Sequence, residues 1–278
     1  MTNLTLQGLH TDRAVIDQIA AAAGAARTVA LGPNAYRCEG VTLAAKAQVE
    51  ALCAEHQLDC AFLADDHGRD YKLLAMDMDS TLITIECIDE IADMQGLKAE
   101  VSAITEAAMR GEIDFRESLA RRVALLQGLD AGALQRVYDE RLDLSPGALP
   151  MLEAVRAAGM KTLLVSGGFT FFTDKLKERL QLDHTHANQL EVVDGKLTGK
   201  VIGAVVDAEE KRNTLLAVCA EMGIAPVQAI AMGDGANDLR MMDAAGLSVA
   251  FRAKPAVRVK ADVALNVVGL DGVLAFLN

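Results

Sequence analysis

The sequence predicts an α/β protein, built as a doubly wound parallel sheet with an inserted helical block and preceded by a smaller α+β unit. Three observations carry this reading. Apolar runs alternate with amphipathic helical stretches over most of the chain. A series of helical stretches, uninterrupted by a strand, follows the first long apolar run, "YKLLAMDMD". Before residue 70 the strand signals are short and the order of elements is different.

In residues 1–70, "NLTLQGL" and "TVALG" read as strands around a helix at "DRAVIDQIAAAAG". Strand "AYRCEGV", helix "LAAKAQVEALCAEHQ" and strand "DCAFLAD" follow. The order βαββαβ is that of a ferredoxin-like sandwich. The charged stretch "DDHGRD" at 65–70 marks the predicted boundary.

From residue 71 to 278 the pattern changes. "YKLLAMDMD" is continuously apolar up to its acids, as a strand covered on both faces requires. The inserted block, at about 86–143, contains the helices "IDEIADMQ", "AEVSAITEAAMR", "DFRESLARRVALLQG" and "AGALQRVYDERL". "SPGALPMLEAVRAAG" opens on a Ser-Pro start signal and ends in glycine, so it reads as a bounded helix. Strand "MKTLLVSGG" and helix "FTFFTDKLKERLQL" come next. Asp194-Gly195 between "LEVV" and "KLTGKV" predicts a hairpin. The last third alternates helix "EEKRNTLLAVCAEMG", strand "VQAIAMGDG", helix "NDLRMMDAAG", strand "LSVAF" and a short strand near "DVALNV".

Composition narrows the function classes. A net charge of −12 opposes broad nucleic-acid binding, which rests on a basic surface, and the absence of Trp opposes a base-stacking platform. Neither excludes an anionic substrate held by local cations. No apolar run reaches the length of a membrane span, and "MTNLTLQGLHTDR" lacks the parts of a signal peptide. Five cysteines without a C-x-x-C pair read as reduced thiols. The expected location is the cytoplasm.

Ligands of open parallel sheets bind at the carboxyl ends of the strands. Three strands here end in polar chemistry, "LLAMDMDST", "TLLVSGG" and "AIAMGDGAND". Residues two apart on an extended segment point the same way, so Asp77 and Asp79 are expected to face one pocket. If "GDGAND" ends a neighbouring strand, Asp234 and Asp238 reach the same rim. Converging carboxylates need a counter-charge, and hard oxygen ligands suit Mg²⁺. Taken singly, each piece has an ordinary reading: Asp-x-Asp and Gly-Asp-Gly are common turns, Ser166 is a turn hydroxyl, Asn237 a helix N-cap, and Lys211 and Arg122 solvated helix residues.

In combination, "DMDST" at 77–81, "VSGG" at 165–168, Lys211 and "GDGAND" at 233–238 resemble the four motifs of the haloacid dehalogenase-like phosphatases. The resemblance spans residues 72 to about 278. Through "DSTLITIECIDEIA", "DFRESLARRVALL", "DGKLTG" and "MGDGANDLRMM" it is most similar to the phosphoserine-hydrolysing branch.

The resemblance implies Asp77 as nucleophile and Asp79 as general acid and base. It implies Mg²⁺ held by Asp77, Asp234 and the backbone carbonyl of Asp79, with Asp238 behind them orienting the ligands or Lys211. Ser166, the Gly167 N–H, Lys211 and Asn237 are implied at the phosphoryl group. Glu86 is implied at a substrate ammonium, Arg122 at a substrate carboxylate, and Met109 and Phe115 as residues closing over the ligand. The implied reaction is Mg²⁺-dependent hydrolysis of L-phosphoserine to serine and phosphate, the closing step of serine biosynthesis. Rival readings are a phosphatase for phosphothreonine, a sugar phosphate or a nucleotide, a phosphomutase or dehalogenase, and an amino-acid sensor with an inactive scaffold. The N-terminal unit resembles amino-acid-binding (ACT-like) regulatory domains, which implies a serine effector site there, or dimerisation through exposed sandwich edges.

Overall fold

A computed structural model describes residues 1–64, 70–110 and 112–277 of the chain. Most of the expected boundary at 65–70 therefore lies outside the described residues.

The N-terminal unit runs β1 (Thr2–Gln7), α1 (Arg13–Ala22), β2 (Arg27–Gly32), β3 (Ala35–Val41), α2 (Lys46–Glu55) and β4 (Asp59–Ala64). Its sheet has the order β2-β3-β1-β4 with every pairing antiparallel, as the βαββαβ reading requires. Asp12 caps α1 by accepting the Ala14 N–H, and Ile16 and Ile19 then fall on the buried face beside Leu4, Leu6 and Val49.

The larger unit is laid on β5 (Leu73–Met76), β6 (Lys161–Phe169), β7 (His184–Val193), β8 (Lys196–Ile202), β9 (Ala229–Gly233), β10 (Leu247–Phe251) and β11 (Val263–Leu265). These form a seven-stranded sheet in the order β11-β10-β9-β5-β6-β7-β8, parallel except for the β7–β8 hairpin. β5 lies between β6 and β9, so the winding reverses at its carboxyl end. Leu74 and Met76 feed one apolar core and Leu73 and Ala75 the other, which is why the run is apolar throughout. The cap helices α3 (Cys87–Asp93), α4 (Lys98–Met109), α5 (Phe115–Ala124) and α6 (Gly132–Glu140) all fall between β5 and β6. The sheet is flanked by α7 (Ala148–Ala157), α8 (Thr170–Leu180), α9 (Ala208–Met222), α10 (Leu239–Ala244) and the short α11 (Pro255–Arg258).

Two features depart from the sequence reading. β7 begins ten residues before the Asp194-Gly195 turn, and its first half pairs in parallel with β6 through the polar stretch His184 to Asn188. The two units are also clasped. The buried carboxylate of Asp59 accepts the N–H groups of Asn266, Val267 and Val268 at 2.8, 2.9 and 3.0 Å. All five thiols are free, and no helix among the described residues is long and apolar enough to cross a membrane.

Candidate active site

The site grows out of the end of β5. Met76 pairs with Leu164 of β6 on one side and Met232 of β9 on the other, and the next residue, Asp77, donates its N–H to Met232 O at 3.0 Å. The three polar strand ends thus meet at one level. The chain then turns sharply. Ser80 adopts φ 56°, a left-handed conformation costly for a residue with a side chain. Its hydroxyl donates to Glu86 Oε1 at 2.8 Å and its N–H to Ile85 O, so the turn carries Glu86 back over the strand end.

Lys211 is the buried centre. Asp207 caps α9 by accepting the N–H groups of Glu209 and Glu210, which fixes the helix start and the placement of Lys211. Lys211, 1% exposed, donates to Asp77 Oδ1 at 2.6 Å and Asp238 Oδ1 at 2.7 Å. Burial opposes its charge, but the two carboxylates outweigh burial and raise its affinity for the proton. Burial, then the charge of Asp238, pushes the Asp77 carboxyl well above the usual range against the pull of Lys211.

Asp79 sits differently. Its Oδ1 accepts the Cys87 N–H at 2.8 Å, and Oδ2 accepts the Ser166 hydroxyl at 3.3 Å. Its carboxyl is raised by burial, while the Cys87 N–H and the Ser166 hydroxyl hold it back. Burial is the largest cause of that shift. Asp234 is pushed up to about 6 by burial and Asp238, against Lys254 and Lys211.

A cavity of about 700 Å³ lies between this strand-end rim and the cap. Asp77, Asp79, Asp234, Asn237 and Gly167 line its core side, and Glu86, Phe115 and Arg122 its cap side. Burial and the Asp79 charge push Glu86 up to about 8, against its bond from Ser80. Arg122 is half-buried, and burial weakens its hold on the proton while Asp89 and Glu86 strengthen it. Met109 closes α4, but its side chain lies outside the described residues. Ser166 is fully buried beside Asp79, and its hydroxyl also accepts the Gly168 N–H at 2.8 Å. A larger cleft of about 900 Å³ between the two units holds none of these groups.

Oxygens of Asp77, Asp234 and Asp238 lie within 4.8 Å of one another. Three carboxylates facing one ammonium leave an excess of two negative charges when all are ionised, which a divalent cation offsets. All-oxygen donors at this spacing fit Mg²⁺. Asp238 also accepts the Gly235 N–H through Oδ2 at 3.0 Å, so both of its oxygens have protein partners. The Asp79 carboxylate is not among the three.

Several contributors were not singled out from sequence. Asn188, 1% exposed, donates to Gly167 O at 2.7 Å and accepts the Val206 N–H at 2.8 Å. One amide thereby ties the "VSGG" turn to the chain entering α9. Gly168 leaves room for the acid behind it, since a Cβ there would stand 2.6 Å from Asp79 Oδ2. Gly233 serves the same end: a Cβ would stand 2.4 Å from Asp238 Cγ, so close packing and not turning is the requirement. Lys254 lines the cavity beside Asp234.

The chain is similar to known proteins in sequence and fold. The haloacid dehalogenase-like hydrolase family matches residues 74–243. The chain belongs to that family. This hydrolase is 60% identical over 210 residues to a phosphoserine phosphatase of Polaromonas sp., covering 74% of the chain and 89% of the relative. A HAD family hydrolase from Salmonella enterica serovar Typhi superposes with a TM-score of 0.90 at 33% identity, over 100% of this chain and 98% of the other. A probable phosphoserine phosphatase from Vibrio cholerae, in unliganded form, superposes with a TM-score of 0.84 at 36% identity, over 99% and 86%.

Replacing Lys211 by Met strips the counter-charge from two buried carboxylates. At pH 7 the loss of stability is expected to be about 3–5 kcal/mol in denaturant unfolding. It should shrink at pH 5.5, where burial makes Asp77 take up its proton more readily. Equal midpoints for the two proteins at both pH values would contradict the role given to Lys211.

Proposed function

We propose that this hydrolase is a phosphoserine phosphatase working through an aspartyl-phosphate on Asp77. One observation carries the reading: a single cavity is lined by Asp77 and Asp79 from the sheet and by Glu86 and Arg122 from the cap. A phosphomonoester needs the first pair, and an α-amino acid needs the second.

The Asp77 carboxylate attacks phosphorus, and the serine oxygen leaves as Asp79 gives it a proton. Asp79 then takes a proton from the water that attacks the aspartyl-phosphate, releasing phosphate and restoring Asp77. The raised affinity of Asp79 for its proton supports the donor half of this role. Asp77 and Asp234 side chains and the Asp79 carbonyl would hold Mg²⁺, with Asp238 positioned behind them. Bound there, Mg²⁺ reduces the repulsion between a carboxylate and a phosphate dianion. The Gly167 N–H and Asn237 orient phosphoryl oxygens, and Lys211 supplies fixed positive charge next to the nucleophile. Ser166 acts on Asp79 and the Gly168 N–H as well as through its proximity to the phosphoryl site.

At the amino-acid end, Glu86 receives the ammonium and Arg122 the carboxylate. Phe115 closes the cap side. A sugar phosphate offers neither group to these residues. In the same proposal the chain divides near residue 70 into an N-terminal ACT-like unit and the catalytic unit. The first is a candidate for serine feedback, and its β2 edge, unpaired on one side in the sheet, is a candidate for dimerisation. Free thiols support a cytoplasmic setting.

Phosphate release should be Mg²⁺-dependent and far faster with L-phosphoserine than with phosphothreonine, a sugar phosphate or a nucleotide, and lost in Asp77→Asn. Activity confined to the other phosphates would overturn the placement of Glu86 and Arg122. Glu86, at about 8, is mostly protonated at pH 7 in the free enzyme. It must lose that proton to pair with an ammonium, so kcat/KM should rise as pH passes from 7 to 8.5. In Glu86→Gln that limb should flatten; an unchanged limb would assign it to another group.

A further inference from the structure

We propose that Lys254 is the phosphate-attracting cation at the mouth of the catalytic cavity, an inference resting on the phosphatase reading above. Lys211 cannot meet an incoming substrate directly, because it is enclosed and its ammonium is engaged by Asp77 and Asp238. Among the described residues the cavity lining contains just two cations, Arg122 and Lys254. Against them it presents Asp77, Asp79, Glu86, Asp89 and Asp234. An acid-lined mouth repels a phosphate dianion at the distances where encounter is decided.

The two cations come from different parts of the fold. Arg122 belongs to the cap, within the field of Asp89 and Glu86. Lys254 belongs to the core, and its charge is felt at Asp234, on the phosphoryl side. Its backbone is fixed: the N–H donates to Asp234 O at 3.2 Å, Pro255 follows, and the flanking Ala253 and Val257 are each 1% exposed. Its side chain is exposed and enters no ion pair among the described residues. A solvated, unpaired ammonium carried on a fixed backbone at an acidic rim is suited to drawing in the phosphate end first. The substrate carboxylate is then left to Arg122.

The test uses the full-length Mg²⁺-loaded protein and its Lys254→Gln and Lys254→Arg variants. Calorimetry measures affinity for inorganic phosphate and, separately, for serine; kinetics give kcat/KM for phosphoserine from about 20 to about 200 mM salt, a range that spans strong to weak screening. Lys254→Gln should weaken phosphate binding and lower kcat/KM on the order of 10-fold at low salt. It should also flatten the salt dependence and leave serine affinity and kcat nearly unchanged, and Lys254→Arg should restore all of these. Unchanged phosphate affinity and salt dependence would overturn the proposal. So would equal losses for phosphate and serine, which mark a collapsed 252–258 segment, and so would failure of arginine to rescue. If the unmodified protein fails to hydrolyse phosphoserine yet Lys254→Gln still weakens phosphate binding, the substrate assignment fails and the role of Lys254 stands.

Discussion

One buried ammonium organises this molecule. Lys211 lies between Asp77, at the end of the central strand, and Asp238, beyond the neighbouring one, with essentially no contact with water. Each of the three groups alone would be costly at that depth; together they offset part of one another's burial cost. The secondary structure that delivers them is constrained accordingly. β5 and β9 must pair in parallel so that their carboxyl ends coincide, and α9 must start at a firm cap so that Lys211 projects to that level. Gly233 and Gly168 must lack side chains because acids occupy the space those side chains would take.

The same arrangement creates the opening for chemistry. Lys211 neutralises only part of the acid cluster, which leaves room for a divalent cation and a phosphoryl group. Asp79 is held apart from that cluster by the Cys87 N–H and the Ser166 hydroxyl, so two carboxyls separated by a single residue have different surroundings. The cap then supplies a second, chemically distinct end. Its α5 helix, capped by Asp114, carries both Phe115 and Arg122 to the cavity, and the left-handed Ser80 brings Glu86 opposite them. In the proposed reaction, catalysis belongs to the sheet edge and selectivity to the inserted helices.

Much of this was legible in the residues. The unbroken apolar run of β5, the Asp194-Gly195 turn, the glycine helix ends and the order of the acidic strand ends all obey local rules, so local reading recovers them, whereas the Ser-Pro signal falls short of the true start of α7 at Ala148, capped by Gly147. The motif resemblance singled out the acids, Lys211, Glu86 and Arg122 before any geometry was available. What escaped depends on contacts distant in sequence. Asn188 sits in a polar stretch that resembles a loop, and its importance comes from partners at Gly167 and Val206. Lys254 follows a strand as an ordinary surface lysine would, and only the cavity reveals its neighbours. Asp59 is one acid opening a strand until residues 266–268 close around it. Burial, the dominant influence on Asp79, is likewise a property of the folded chain and not of its spacing.

The central claim is that Asp77 becomes covalently phosphorylated, and trapping that species tests it most directly. The Mg²⁺-loaded protein would be quenched within milliseconds of mixing with phosphorus-labelled phosphoserine, the acyl-phosphate reduced with borohydride, and the reduced site mapped by peptide mass spectrometry. The account predicts label that appears and decays with turnover and a reduced side chain at position 77. Full hydrolysis with no trapped label, or a reduced carboxyl at position 79 or 234, would contradict it.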